Sequence, residues 1–207
     1  MAGLTSEQIR FLKEQKVHPK YVFNADGLSK SEYRVIMKEL NKGVAYNVTP
    51  CQKEGHTLRT RSGHCCQCNT ATLGFQKRND SGGIVYIAGS LTGELVKIGF
   101  SKAVEVRTES LNRTKYAGFN DWKILYALNS KNAGRIETKA NSLLHEYAFS
   151  VDYEHDGHWQ DSYETYHCAY SKAKEFVEKA FKSENYEVEI EKNSPTEKYE
   201  FRNLKKL

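Results

Sequence analysis

The sequence has no apolar run close to the roughly 18–20 residues that a membrane-spanning helix requires. An integral helical membrane protein is therefore excluded. The opening segment, MAGLTSEQIR, lacks the basic-then-apolar pattern of a secretory signal, so a cytoplasmic location is expected. No internal repeat, coiled-coil heptad pattern or phosphate-cradling glycine loop is visible. What remains is a chain of 207 residues, 39% apolar and 28% charged. That suits one ordinary globular domain plus something small.

The net charge of +5 is unevenly spread. Residues 1–82 carry 13 basic and 7 acidic side chains, and residues 83–150 carry 9 and 6. Residues 151–207 reverse the balance, with 9 and 13. A polyanionic partner is therefore expected to meet the first two thirds of the chain.

Four of the five cysteines fall between positions 51 and 68. In a reducing compartment such clustering points to metal before disulfide. Cys51, His56, Cys65 and Cys68 supply the N/S donors of a tetrahedral zinc site, with Gly55 and Gly63 allowing sharp turns beside them. Cys66 and His64 are alternative donors, and the competing reading is a set of free thiols. Arg59, Arg61, Lys77 and Arg78 accompany the cluster. They either contact nucleic-acid phosphates or form the solvated face of a purely structural staple.

Ahead of the cysteines, Thr5 with Gln8 and Ser29 with Glu32 form two capping-box signatures, each opening a short amphipathic helix. Two such helices are loosely similar to a helix-turn-helix. The second helix then either reads DNA or packs against the main domain or a partner.

Residues 83–150 read as strand, strand, helix, strand, helix. The β-branched runs Gly83–Gly89 and Glu94–Gly99 flank a turn and suggest a hairpin. Val104, Arg107 and Leu111 share a helical face, WKILYAL at 122–128 suggests a third strand, and an apolar stripe runs from Ile136 to Tyr147. The expected class is α/β (α+β), a ββαβα core with a central antiparallel sheet. The expected divisions are a helical arm at 1–48, a zinc knuckle at 49–80, the core domain at 82–182 and a charged tail at 183–207. A short strand is expected in the tail at Tyr186–Ile190. His155, His158, His167 and Cys168 offer a weaker second metal grouping, with local hydrogen bonds as the alternative.

Ile84-Val85-Tyr86, Val96-Lys97-Ile98-Gly99, Arg107 and Glu137 together resemble the GIY-YIG endonuclease superfamily over roughly residues 82–180. Lys97 stands where most members carry a second tyrosine, as in phage-type and restriction-type branches. The resemblance implies phosphodiester hydrolysis in DNA. Tyr86 would be the general base, with Lys97 favouring its phenolate or binding phosphate. Arg107 would clamp phosphate oxygens, and Glu137 would hold Mg²⁺ or Mn²⁺. A single such site cuts one strand, so double-strand cutting would require a homodimer or two binding events. The other readings are a non-catalytic nucleic-acid-binding protein and a regulatory protein whose zinc module docks a partner. Each site residue also has a structural reading, as a strand aromatic, a surface charge or an interhelical ion pair.

Overall fold

The computed structural model describes residues 3–40, 42–194 and 197–206, which form two compact units, 1–78 and 79–207. The mixed α/β class with antiparallel sheets is what the sequence led us to expect.

In the first unit, helices α1 (Ser6–Glu14) and α2 (Lys30–Glu39) both begin with reciprocal capping boxes. Thr5 Oγ1 accepts from the Gln8 N–H at 3.2 Å while Gln8 Oε1 accepts from the Thr5 N–H at 2.9 Å. Ser29 and Glu32 repeat the exchange. The helices do not form a helix-turn-helix. A strand, β1 (Val22–Asn24), lies between them and pairs in parallel with β2 (Val44–Tyr46), which pairs antiparallel with β3 (Arg59–Thr60). A helix-turn-helix allows only a short turn there. Leu12 of α1 packs with Val44, Leu58, Cys66 and Leu73. Tyr33 and Met37 of α2 pack with Ala25, Ala45 and Val48. The arm and the cysteine segment thus build one small fold, completed by α3 (Thr70–Asn79).

The second unit is built on a five-stranded sheet. Strands β4 (Gly83–Ser90), β5 (Leu95–Ser101) and β6 (Lys123–Ser130) form its centre, with α4 (Val104–Arg113) following β5 and α5 (Ala133–Leu143) following β6. A small exposed hairpin, β7 (Asp152–His155) and β8 (His158–Asp161), precedes β9 (Thr165–Tyr166). Helix α6 (Tyr170–Lys182) and strand β10 (Glu189–Asn193) follow. The spatial order is β10-β6-β4-β5-β9, antiparallel throughout.

Alternation along the strands separates two cores. Val85, Ile87, Val96 and Ile98 face α5 and α6. Tyr86, Ala88 and Leu95 face α4, with Trp122 and Leu111. The charged segment after residue 182 contributes to the fold rather than trailing from it. Strand β10 begins at Glu189, three residues later than expected, and Tyr199 is buried in the larger core. The Tyr199 ring lies over Gly89, where a Cβ would overlap it.

Candidate functional site

Cross-strand register brings Tyr86 and Lys97 to one face of the sheet. Tyr86 on β4 opposes Gly99 on β5, and Ala88 opposes Lys97. Tyr86 lies over Gly99 so closely that a Cβ there would overlap its Oη and Cζ. The glycine therefore makes room for the phenol. Arg107 reaches the phenol from α4, and its Nε–H donates to Tyr86 Oη at 2.9 Å. Tyr86 and Lys97 are 0% and 1% exposed.

Burial pushes the Tyr86 phenol above its ordinary pKa; Arg107 pulls against that shift, while Glu164 and Glu137 add to it. Burial also works against the Arg107 charge, but Tyr86, Tyr116 and Glu164 outweigh it and hold Arg107 firmly cationic. The guanidinium, not the ammonium of Lys97, is the cation on the phenol. Lys97 turns instead to Glu164, with Nζ at 3.0 Å from Oε2, and donates to the Tyr163 carbonyl at 3.2 Å. It also sits over the Tyr116 ring, 4.7 Å from the centroid. Burial lowers the Lys97 pKa from the usual lysine range, and Glu164 opposes that shift.

Glu164 and Tyr116 are the residues that sequence reasoning missed. Glu164 is a non-glycine residue at φ +63°, and its carbonyl accepts from the Ile98 N–H at 3.2 Å. Its strained backbone turns the carboxylate to Lys97. The Tyr116 hydroxyl accepts from the Tyr163 N–H at 2.9 Å and donates to the Tyr163 carbonyl. Tyr116 thereby fixes the segment that presents Glu164. Only the departure from strand alternation at Asp161–Thr165 could have flagged this segment.

Glu137 comes from α5, on the sheet face opposite α4. It is 2% exposed, and its field acts on Tyr86, Lys97 and Tyr166. The structure thus joins Tyr86 directly to Arg107 and Lys97 directly to Glu164. Glu137 is linked to Tyr86 and Lys97 by its charge.

In the first unit, Cys51, His56, Cys65 and Cys68 place one donor atom each within 4.8 Å of one another. A tetrahedron with Zn–S of about 2.3 Å and Zn–N near 2.0–2.1 Å has edges of roughly 3.8 Å for S···S and 3.5 Å for S···N. The observed Sγ–Sγ separation of Cys51 and Cys68 is 3.6 Å. His56 Nδ1 lies 3.9, 3.4 and 3.8 Å from the Sγ atoms of Cys51, Cys68 and Cys65. Backbone N–H groups of Glu54 and Cys68 donate to the sulfurs of Cys51 and Cys65, each at 3.4 Å. The four residues fit a metal-binding site of the structural zinc type. Cys66 is excluded as a donor because it is buried in the apolar core, where burial raises its thiol pKa to about 12. No second grouping of three or more metal donors occurs among the described residues. The ring of His167 stacks on Phe149, and Cys168 is buried.

The basic residues beside the cluster largely serve the fold. Arg59 Nη2 donates to the Thr49 carbonyl, Arg61 Nε to the Lys42 carbonyl and Lys77 Nζ to the Gln15 carbonyl. Arg78 is exposed at the end of α3.

Residues 83–181 match the family model of the T5orf172 domain.

The T5orf172 match covers just under half of the chain and spans the sheet from β4 to nearly the end of α6. It corrects the GIY-YIG assignment: the family model that fits this region is T5orf172, and no GIY-YIG family is found there. The physical reason lies in the signature itself. Short β-branched runs ending in glycine suit many tight, buried hairpins, so by themselves they do not single out one family. No curated protein and no solved structure matches the chain. Among the described residues no helix is long and apolar enough to cross a membrane.

Proposed function

We propose that this chain is a metal-dependent DNA endonuclease, with its centre in the T5orf172-matched region. The observation that carries the reading is the Arg107–Tyr86 hydrogen bond at 2.9 Å, beside a buried lysine. A guanidinium on a phenol both favours the phenolate and offers further N–H donors to a phosphate. In this reading Tyr86 takes a proton from the attacking water. Arg107 holds the phosphate oxygens and stabilises the charge that builds on them. Lys97, oriented by Glu164 and Tyr116, supplies positive potential beneath the scissile group.

Glu137 would be the protein ligand of a Mg²⁺ or Mn²⁺ ion, since Mg²⁺ commonly takes one or two carboxylates and fills its shell with water and phosphate oxygens. Bound there, the ion would stabilise the leaving oxygen. The cysteine cluster would hold Zn²⁺ as a structural ion. The reading includes DNA as substrate and a cytoplasmic setting, with a homodimer or two encounters for double-strand cutting.

One observation favours a second reading, a non-catalytic nucleic-acid-binding protein. Tyr86 and Lys97 are almost fully covered, as residues of a purely structural network would be. Plasmid nicking with Mg²⁺ separates the two. Nicking by the wild type and its loss in Glu137→Gln and Arg107→Gln support the enzyme. Salt-dependent binding without any cutting supports the second reading.

A further inference from the structure

The first unit contains a groove of about 570 Å³ between the start of α2 and the metal loop. Lys30, Arg59 and His64 line it, and no aspartate or glutamate does. Lys30 is not an arbitrary surface charge. Its side chain lies over Gly63, which sits at φ +86°, and a Cβ on that glycine would collide with Lys30 Cε. Arg59 is held by its Nη2 bond to the Thr49 carbonyl at 3.0 Å. Its other terminal nitrogen, Nη1, is buried with no hydrogen-bond partner. Arg59 thus brings to the groove a guanidinium anchored at one terminal nitrogen and unsatisfied at the other.

Part of the wall is apolar, formed by Leu28, Val48 and Pro50 with the Tyr33 ring, beside Thr49, Gln52 and the metal-loop residues Cys51 and Cys65. Bare inorganic anions gain nothing from such a wall. A sugar-phosphate unit does, because its ribose or deoxyribose carbons can lie against it. The formal charge balance agrees: Lys30 and Arg59 outweigh the single negative charge of a Cys₃His zinc centre.

We propose that this groove holds one phosphodiester of a nucleic-acid strand, with Arg59 and Lys30 on its anionic oxygens and His64 at the rim. The proposal rests on the reading that the protein acts on nucleic acid, and gives the first unit the task of gripping the strand. The groove residues take no part in the centre around Tyr86.

The test uses the full-length, zinc-loaded protein and fluorescence anisotropy with a labelled DNA duplex and the same strand unpaired. Lys30→Ala and His64→Ala alter exposed side chains and leave the fold intact, and zinc content checks Arg59→Gln. Lys30→Ala is expected to weaken binding about 3- to 10-fold and Arg59→Gln more than about 10-fold, with Lys30→Ala reducing the salt slope by about 1. Arg59→Lys should restore only part of the loss, since it lacks the fork. Unchanged affinity in all variants, with zinc retained, overturns the proposal. So does saturable binding of inorganic phosphate without binding of DNA, which would make the groove a small-anion site. Cleavage is read in parallel. A wild type that binds through the groove but never cuts removes the enzyme and keeps the groove. Groove variants that bind and cut like the wild type do the reverse.

Discussion

Arg107 on α4 donates its Nε–H to the hydroxyl of Tyr86 on β4 at 2.9 Å. This bond ties a helix to the sheet and places a permanent cation on a buried phenol. Burial alone would keep the phenol neutral well above neutral pH, and Arg107 is the main group opposing it.

The first prediction concerns pH. A general base acts when deprotonated, and the Tyr86 pKa is raised. The log of the cutting rate should therefore climb with a slope of about 1 from pH 6 to 9. Tyr86→Phe should abolish the slope along with most of the activity. Arg107→Gln removes the opposing cation, so it should push the limb further alkaline while lowering the rate at least about 100-fold. A flat wild-type profile over this range would exclude Tyr86 as the base.

The Lys97–Glu164 pair makes a second prediction. Glu164→Ala leaves the Lys97 charge buried without its partner and should cost about 3 kcal/mol, read by urea denaturation. Lys97→Met removes the fully buried charge and leaves Glu164, which is 31% exposed, to water, so it should cost less, about 0–2 kcal/mol. The Lys97 pKa is lowered, so the unfolded chain binds more protons there. Wild-type stability should then rise with pH towards the ordinary lysine value of about 10.4, and Lys97→Met should lose that rise. If Lys97 also acts on phosphate, the stable Lys97→Met protein will cut poorly.

Gly99→Ala is the third. Its Cβ would meet the Tyr86 ring and hydroxyl, which Arg107 holds by a hydrogen bond. Overpacking of this kind should cost about 1–3 kcal/mol. The double variant Gly99→Ala, Tyr86→Leu should recover part of the loss, and no recovery would place the strain elsewhere.

A fourth prediction separates the two adjacent cysteines. Metal analysis should find about one zinc per chain, lost in Cys65→Ser and Cys68→Ser. Cys66→Ala should keep the zinc and lower stability by about 1 kcal/mol through its small cavity. Chelation should unfold the first unit, since the metal supplies much of the folding energy of so small a segment. Zinc retained in Cys68→Ser would overturn the donor set.

Local rules were legible in the sequence, and long-range partners were not. Thr5–Gln8 and Ser29–Glu32 announce their helices because a cap is a contact within one turn. Gly83–Ser90 announces its strand because burial on both faces selects a continuous apolar run. The Cys51–Cys68 spacing likewise carries its chemistry within a short loop.

Glu164 was invisible because it lies beyond a hairpin, and its partner Lys97 is 67 residues away in sequence. On charge alone Arg59 and Arg61 are equal candidates for phosphate contact, and nothing in the sequence shows how the fold holds either side chain. Their hydrogen bonds to the carbonyls of Thr49 and Lys42 appear only once the loop closes. Strand β10, Glu-Ile-Glu-Lys-Asn, was expected as a strand, but with its bounds three residues early. An edge strand needs no apolar alternation, and its charges guard against further pairing.

The position of β10 has a consequence for biosynthesis. It covers β6, whose Ile124–Leu128 stretch is buried and apolar, and Tyr199 seals Gly89 of β4. Both covers emerge from the ribosome long after the strands they protect. A chain stalled or clipped near residue 185 would present β6 as an open, hydrophobic edge, ready to pair with another chain. The charged tail of the sequence thus closes an edge that β6 would otherwise leave open.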